Sequence, residues 1–349
     1  MRFINGRAYS QAELLDKGKY RVLRVGNFNT NTSWYYSDLE LEDDKYANKG
    51  DLLYLWATSF GPEIWEQERV IYHYHIWKIE ILDENIDKQY LYSWLETDKE
   101  RIKQMTNGTT MVHVTKGLIE ERSFQFPIYK QEQVKIGTFL KQIDDTITLH
   151  QRQLKQLELI KQALLQKLFL KTGQIIPELR FRGFNESWKQ RKFQEFISVN
   201  SGRDYKHLKI GDIPVYGTGG YMLSVNDKLS NNDSIGLGRK GTIDKPQLLK
   251  APFWTVDTLF FMTPRTNYDL LFLYSMTQKI NWKRMDESTG VPSLSKSVIE
   301  NVQQRIPSYQ EQIKIGNFFK KLDDTITLHQ RKINCYQQSK KSLLTKMFT

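Results

Sequence analysis

Residues 131–152 read QEQVKIGTFLKQIDDTITLHQR, and residues 310–331 read QEQIKIGNFFKKLDDTITLHQR. Aligned at an offset of 179, 17 of these 22 positions are identical. The likeness continues through Leu164–Phe169 and Leu343–Phe348, and Pro127 and Pro307 stand just before the two copies. Solenoid repeats recur every ~20–50 residues, so a period this long marks something else. It marks two similar modules, each following a block of roughly one domain's length.

Each copy reads as one long helix. Ile136, Leu140, Ile143, Ile147, Leu154, Leu157, Leu164 and Leu168 keep a heptad a/d register, and Ile315, Phe319, Leu322, Ile326, Ile333, Tyr336, Leu343 and Met347 match it. No Gly or Pro interrupts either run after its opening turn. A seam sustained for about five heptads predicts a coiled coil, and the obvious partner of each helix is its own duplicate. His150 and His329, then Lys161 and Lys340, interrupt the seam at equivalent places, where polar residues fix register. Asp144, Asp145 and His150, with Asp323, Asp324 and His329, could be taken for a metal or acid–base cluster. Spacings of five and six residues put them on different helix faces, so the acids are expected to decorate a solvated face.

The organisation that follows is a globular block over 1–126, a helix over 127–170, a second block over 171–306 and a second helix over 307–349. Short alternating runs in the blocks (Tyr20–Val25, Val70–Trp77, Thr258–Met262) among glycine-rich turns predict half-exposed strands in α/β (α+β) domains. Faint echoes tie the blocks together. Asn5-Gly6-Arg7-Ala8-Tyr9 matches Ser201-Gly202-Arg203-Asp204-Tyr205, and Thr106-Asn107-Gly108 with Thr115-Lys116 resembles Ser288-Thr289-Gly290 with Ser295-Lys296. A shared frame with unlike interiors suggests one fold reading two different targets.

Composition narrows the class of function. The 349 residues carry 51 Lys and Arg against 40 Asp and Glu, a formal charge of +11, which points to a polyanionic partner and to nucleic acid before membrane. The excess is uneven. Residues 1–125 hold 16 basic and 20 acidic groups, whereas residues 171–304 hold 19 and 13. The first block therefore needs a local basic patch, for which Arg7, Arg21, Arg24 and Lys116 are the candidates. A single cysteine, Cys335, excludes an internal disulfide and a cysteine zinc cage. With no apolar leader at the N-terminus and no apolar run of spanning length, a cytoplasmic protein is expected.

Catalytic motifs are missing. Gly236-Leu237-Gly238-Arg239-Lys240-Gly241 matches G-x-G-x-x-G, but Thr242-Ile243-Asp244-Lys245-Pro246 follows where a helix should open, so the dinucleotide reading fails. The glycines there are expected to shape an exposed basic loop, with a plain hairpin turn as the alternative. There is no Walker A, H-E-x-x-H or G-x-S-x-G sequence. His73 and His75 read as two residues on one face of a strand, half a metal site at most, and better as polar members of an aromatic surface. Metal ligands are therefore not expected in this chain.

What the blocks do hold is Asn, Arg, Gly and aromatic residues near turns, the groups that read base edges and approach phosphates. The DNA-binding set drawn from them is Arg7, Arg21, Arg24, Asn27, Asn29, Trp56, Thr58 and Asn107 in the first block. In the second it is Arg203, Thr218, Gly219, Gly220, Arg239, Lys240, Thr242, Ser288 and Thr289.

The duplicated helix, ending in LLxKxF, resembles that of the specificity subunits of type I restriction–modification systems. So do Pro177-Glu178-Leu179-Arg180-Phe181-Arg182-Gly183-Phe184 followed by Trp188 and Arg191-Lys192-Phe193, with Gly217-Thr218-Gly219-Gly220 and Gly238-Arg239-Lys240-Gly241. The resemblance implies two target-recognition domains, each binding one half of a split site in double-stranded DNA. It implies two antiparallel helices that set the spacer and dock two modification subunits. Catalysis would lie in other chains, adenine-N6 methylation from S-adenosylmethionine in one, and ATP- and Mg-dependent translocation and cleavage in a restriction subunit, with no cofactor in this one. The PELRFRGF segment has no counterpart before Asn5-Gly6-Arg7, so the first domain is expected to be N-terminally shortened against the family pattern. Two other readings compete: a self-contained DNA-modifying or DNA-cleaving enzyme, and a coiled-coil scaffold whose blocks bind protein.

Overall fold

The structure, a computed structural model, describes residues 1–29, 31–57, 60–105 and 115–348. Its contacts divide it into two compact units, Met1–His150 with Lys332–Thr349, and Gln151–Arg331.

The first unit starts with strands β1 (Arg2–Asn5), β2 (Tyr20–Leu23), β3 (Tyr35–Ser37), β4 (Tyr46–Ala47), β5 (Leu52–Leu55), β6 (Gly61–Ile64), β7 (Val70–Tyr72) and β8 (Ile76–Glu80). Helices α1 (Lys88–Met105), α2 (Lys116–Glu120) and α3 (Lys130–Leu168) follow, and α3 continues into the second unit. One sheet runs β1-β8-β5-β6, antiparallel throughout; the other runs β3-β2-β7-β4, with β2 and β7 parallel. Phe3, Leu52, Tyr54, Trp77 and Ile79 bury one face of the first sheet against Leu91, Trp94 and Leu95 of α1.

The second unit repeats this plan. Its elements are β9 (Lys189–Lys192), α4 (Phe193–Phe196), β10 (Ile197–Ser201), β11 (Ile210–Gly217), β12 (Gly220–Val225), β13 (Ser234–Gly238), β14 (Gln247–Leu249), β15 (Trp254–Thr255) and β16 (Leu259–Pro264). After them come α5 (Leu270–Lys279), α6 (Lys296–Asn301), β17 (Gln303–Ile306) and α7 (Tyr309–Met347). The order β10-β16-β13-β14 reproduces that of the first unit's antiparallel sheet, and β12-β11-β15 reproduces β3-β2-β7, parallel pair included. The duplication thus extends through the blocks, where sequence likeness is down to a few echoes. Those echoes have local causes. Thr115 and Ser295 are helix N-caps, accepting from the amides of Leu118 and Val298. Gly6 and Gly202 lie so close to a neighbouring strand that a Cβ would come within 2.5 Å of Tyr72 O and 2.6 Å of Thr255 O.

The repeated QEQxKIG opening mounts each long helix on its own block. Gln133, fully buried, accepts from the Asp87 amide at 2.9 Å and donates to Pro127 O at 2.8 Å. Gln312 does the same with the Asp269 amide and Pro307 O, both at 3.0 Å. A Cβ on Gly137 would stand 2.7 Å from Tyr90 N, and one on Gly316 2.6 Å from Phe272 N, so only glycine lets these helices approach. In the second unit Arg180 of the PELRFRGF segment makes a two-pronged ion pair, both arms 2.8 Å, with buried Glu311. The equivalent Glu132 is exposed.

Within each unit the halves of α3 and α7 run antiparallel. In the first, Lys340 meets Asp144 at 2.6 Å, and His150 stacks on Tyr336 at 5.9 Å. In the second, Lys161 meets Asp323 at 2.6 Å, and Phe169 packs on Phe319. Every residue of the expected seam is buried or half-buried except Met347, at the end of α7, which is exposed. One expectation is corrected here. Asp144 and Asp323 are not surface decoration, because each is the partner of the lysine that interrupts the opposite seam. Asp145 and Asp324 do face outward, toward Lys141 and Lys320 one turn earlier. No helix among the described residues is long and apolar enough to cross a membrane, and the Cys335 thiol is free and exposed.

Candidate nucleic-acid interface

In the second unit β13 ends at Gly238, and the next residues leave the sheet as an open loop with no helix behind it. The loop is zipped to residues 292–294: Lys240 bridges Ser293, the Gly241 amide donates to Pro292 O at 2.8 Å, and the Leu294 amide to Arg239 O at 2.9 Å. Asp286 shapes the other side. Its Oδ1 accepts from the amides of Ser293 and Ser288 and from Ser288 Oγ, at 2.8–3.0 Å, and these bonds hold its carboxyl below the usual range. The two loops enclose a shallow cavity of about 280 Å³ that takes in Ser201, Arg239, Lys240, Glu287 and Lys296. Arg239 and Lys240 are exposed and make no ion pair among the described residues. Thus Arg239 and Lys240 share one tip with Ser288 and its neighbour Thr289, at least 48 positions on in sequence, and the preformed cationic surface suits a phosphate-bearing ligand. Thr242 lies at its foot, beside Gly238.

Thr218 and Gly219 form the two-residue turn between β11 and β12, and Gly220 takes φ +109° to close it. Gln247 of β14 donates to Gly217 O at 2.9 Å and to Thr218 O at 3.2 Å, so this hairpin is tied to the sheet that carries Arg239. Arg203 is exposed, with its backbone bonded to Thr255 and Trp254.

The first unit puts different chemistry at the same place. Leu55 pairs with Ile76 as Gly238 pairs with Leu259, so Trp56 occupies the position of Arg239. Trp56 Nε1 donates to Tyr74 O at 2.7 Å and its ring meets His75 edge-on at 4.8 Å. Here the strand expected over 70–77 is corrected. Val70–Tyr72 and Ile76–Glu80 are separate strands, and His73 and His75 flank Tyr74 in the turn between them. The histidines do not sit on one strand face, and among the described residues no cluster of metal-ligating side chains forms. Burial, then the neighbouring His75 and Arg24, pushes the His73 pKa down to about 4, so the ring is neutral at physiological pH.

The first block's arginines are mostly spoken for. Arg7 pairs with Glu13 at 2.6 Å, and this bond, with those from Ser10, lowers the Glu13 pKa to about 2. Arg21 pairs with Glu68 and lies over the Trp34 ring at 4.7 Å. Lys116 faces Glu120 at 3.6 Å. Arg24 has no ion pair among the described residues; it lies 4.2 Å over Tyr35 and near His73. Asn27 closes its own loop, donating to Ser33 O at 2.9 Å and accepting from the Arg24 amide at 3.0 Å. Asn29, exposed, ends the same loop. Thr58 and Asn107 lie outside the described residues. Tyr74 and Lys296 escaped selection in the sequence, although the Ser295-Lys296 echo already marked the second. Gln133 and Gln312 stood inside the quoted repeat, three residues before Ile136 and Ile315 and so in the same a/d register, and a polar residue at a seam position was the signal to follow.

Comparison with known proteins agrees with this picture. The sequence profile of the type I restriction modification DNA specificity domain matches residues 1–159 and 185–335. The chain is 22% identical over 341 residues to the specificity subunit of the type I restriction enzyme MjaVIII of Methanocaldococcus jannaschii, covering 87% of this chain and 79% of that protein. It is 24% identical over 147 residues to the EcoBI specificity subunit of Escherichia coli, covering 41% and 31%. Among solved structures, the type I restriction–modification S subunit of M. genitalium superposes with a TM-score of 0.74 at 18% identity, over 100% of this chain and 93% of that one.

Proposed function

Since the chain belongs to the family of type I restriction–modification DNA specificity domains, we propose that it is the non-catalytic DNA-recognition subunit of such a system, in which each block (1–126 and 171–306) reads one half of a split site in double-stranded DNA. The observation that carries this reading is the fold duplicated with different side chains at the same tip: Trp56, Tyr74 and Arg24 in one unit, Arg239, Lys240 and Lys296 in the other. A fold kept while its tip changes is what two half-sites of different sequence require.

In this reading the helices over 127–170 and 307–349 fix the unread spacer between half-sites and offer a surface to two modification subunits, with restriction subunits joining in the full complex. A helix of 39 residues, as α3 and α7 each are, rises about 58 Å at ~1.5 Å per residue. S-adenosylmethionine, ATP and Mg belong to those partners, and the assembly works in the cytoplasm. Methylation-aware sequencing of DNA exposed to the reconstituted complex tests the proposal. A two-part motif with a fixed gap supports it. Methylation without a split motif, or none that depends on this chain, removes it.

A further inference from the structure

The first block is net acidic by count, and Arg7, Arg21 and Arg69 at the β2, β4 and β7 end are tied to Glu13, Glu68 and Asp43, which leaves Arg24. It has less free positive charge to offer DNA than the tip of the second unit, where Arg239 and Lys240 make no ion pair among the described residues. Yet the strand register puts the Trp56–Tyr74 corner of this unit where the other has Arg239 and its turn. Both corners are built alike: Trp56 Nε1 reaches the carbonyl of Tyr74 in the turn, and Arg239 Nη1 approaches that of Asp257 in the corresponding turn.

We propose that Tyr74 is the DNA-contacting anchor of the first unit, an aromatic side chain that lies against the sugars and base edges of the duplex where the second unit relies on Arg239, Lys240 and Lys296. The inference rests on the reading of the chain as a DNA-recognition subunit, and it names which residue grips one half-site and by what chemistry.

Three features support it. Tyr74 keeps 39% of its surface exposed in a unit whose tyrosines 46, 54 and 72 are fully buried. Its backbone is fixed from both sides, its amide donating to Arg7 O at 3.0 Å and its carbonyl accepting from Trp56, so the ring is presented without loop entropy to lose on binding. The rings of His73 and His75 stand 4.3 and 4.1 Å from it and those of Trp56 6.0 Å, a platform of four rings with a cation, Arg24, beside His73. In a duplex the base faces are stacked inside the helix, so an exposed aromatic on a rigid platform meets sugars and apolar base edges such as the thymine methyl, contacts that release no counterions.

The test follows the two chemistries. The full chain, in its native assembly, is titrated against a fluorescent duplex that the wild type has selected from a random-sequence library, at several NaCl concentrations. Tyr74→Ala is expected to lower affinity about tenfold or more at every salt concentration with the salt slope unchanged, and Tyr74→Phe to restore most of it. Arg239→Ala and Lys240→Ala are expected to lower affinity and flatten the slope by about one each. Wild-type affinity in Tyr74→Ala, or a slope flattened by that change, overturns the anchor while leaving DNA recognition standing. A wild-type assembly that selects no sequence overturns the functional reading itself.

Discussion

Replacing Gln312 by Ala should destabilise the second unit and loosen the seat of its long helix. The side chain is 1% exposed and holds two backbone groups, the amide of Asp269 and the carbonyl of Pro307, each at 3.0 Å. Asp269 is the N-cap of α5, its Oδ1 accepting from Phe272 N at 2.8 Å, so Gln312 fixes the residue that fixes the helix start. Each buried backbone group left without a partner costs about 1–3 kcal/mol. Two of them give a loss of about 2–6 kcal/mol. In a unit of this size that lowers the melting temperature by roughly 4–24 °C at ~2–4 °C per kcal/mol. Gln312→Met nearly keeps the volume and so separates lost hydrogen bonds from lost packing. Circular-dichroism melts supply the magnitude, and hydrogen exchange at the Asp269 amide supplies the location, with protection falling about tenfold per ~1.4 kcal/mol. Gln133→Ala should cost the first unit more, because Gln133 also donates to Asn85 O at 3.1 Å. A Gln312→Met protein as stable as the wild type, with Asp269 equally protected, would refute the reasoning.

Gly316→Ala forces a Cβ to 2.6 Å from Phe272 N, and should cost more than the ~1 kcal/mol gained from helix propensity, read by the same melts. Burial, with Glu96 nearby and Lys99 opposing, raises the Glu63 pKa to about 6, so ionisation disfavours the folded unit and stability falls as pH rises from about 4.5 through 6. Glu63→Gln should therefore stabilise at pH 8 and not at pH 4.5; equal shifts at both pH values count against it. Exchanging residues 171–306 for another such block should change one half of the methylated motif only, and both halves changing would contradict independent reading. Adding one heptad after Gln156 and one after Cys335 keeps both seams in phase and should lengthen the gap in the motif; an unchanged gap would make the helices a docking surface alone.

The two long helices and their seam were legible in the residue pattern alone. Heptad periodicity is local, its decisive contacts three and four residues apart, and 17 identities in 22 positions leave no freedom in register. The pattern also showed that two blocks share a frame, through glycines and caps that the backbone demands. It did not give the partner of Asp144, because an interhelical ion pair joins residues 196 positions apart and a helical wheel places Asp144 only by its own face. Nor did it separate β7 from β8. Alternation across Val70–Trp77 satisfies one strand, and only Leu23 and Leu55, pairing on either side, turn His73–His75 into a corner. The tips belong wholly to the tertiary structure. Arg239 meets Leu294, and Trp56 meets Tyr74, by sheet register that the alternating pattern fixes only to within its period of two. Side chains at a tip face solvent and obey no packing rule, so their sequence drifts between the units while the buried strands beneath them hold the same order.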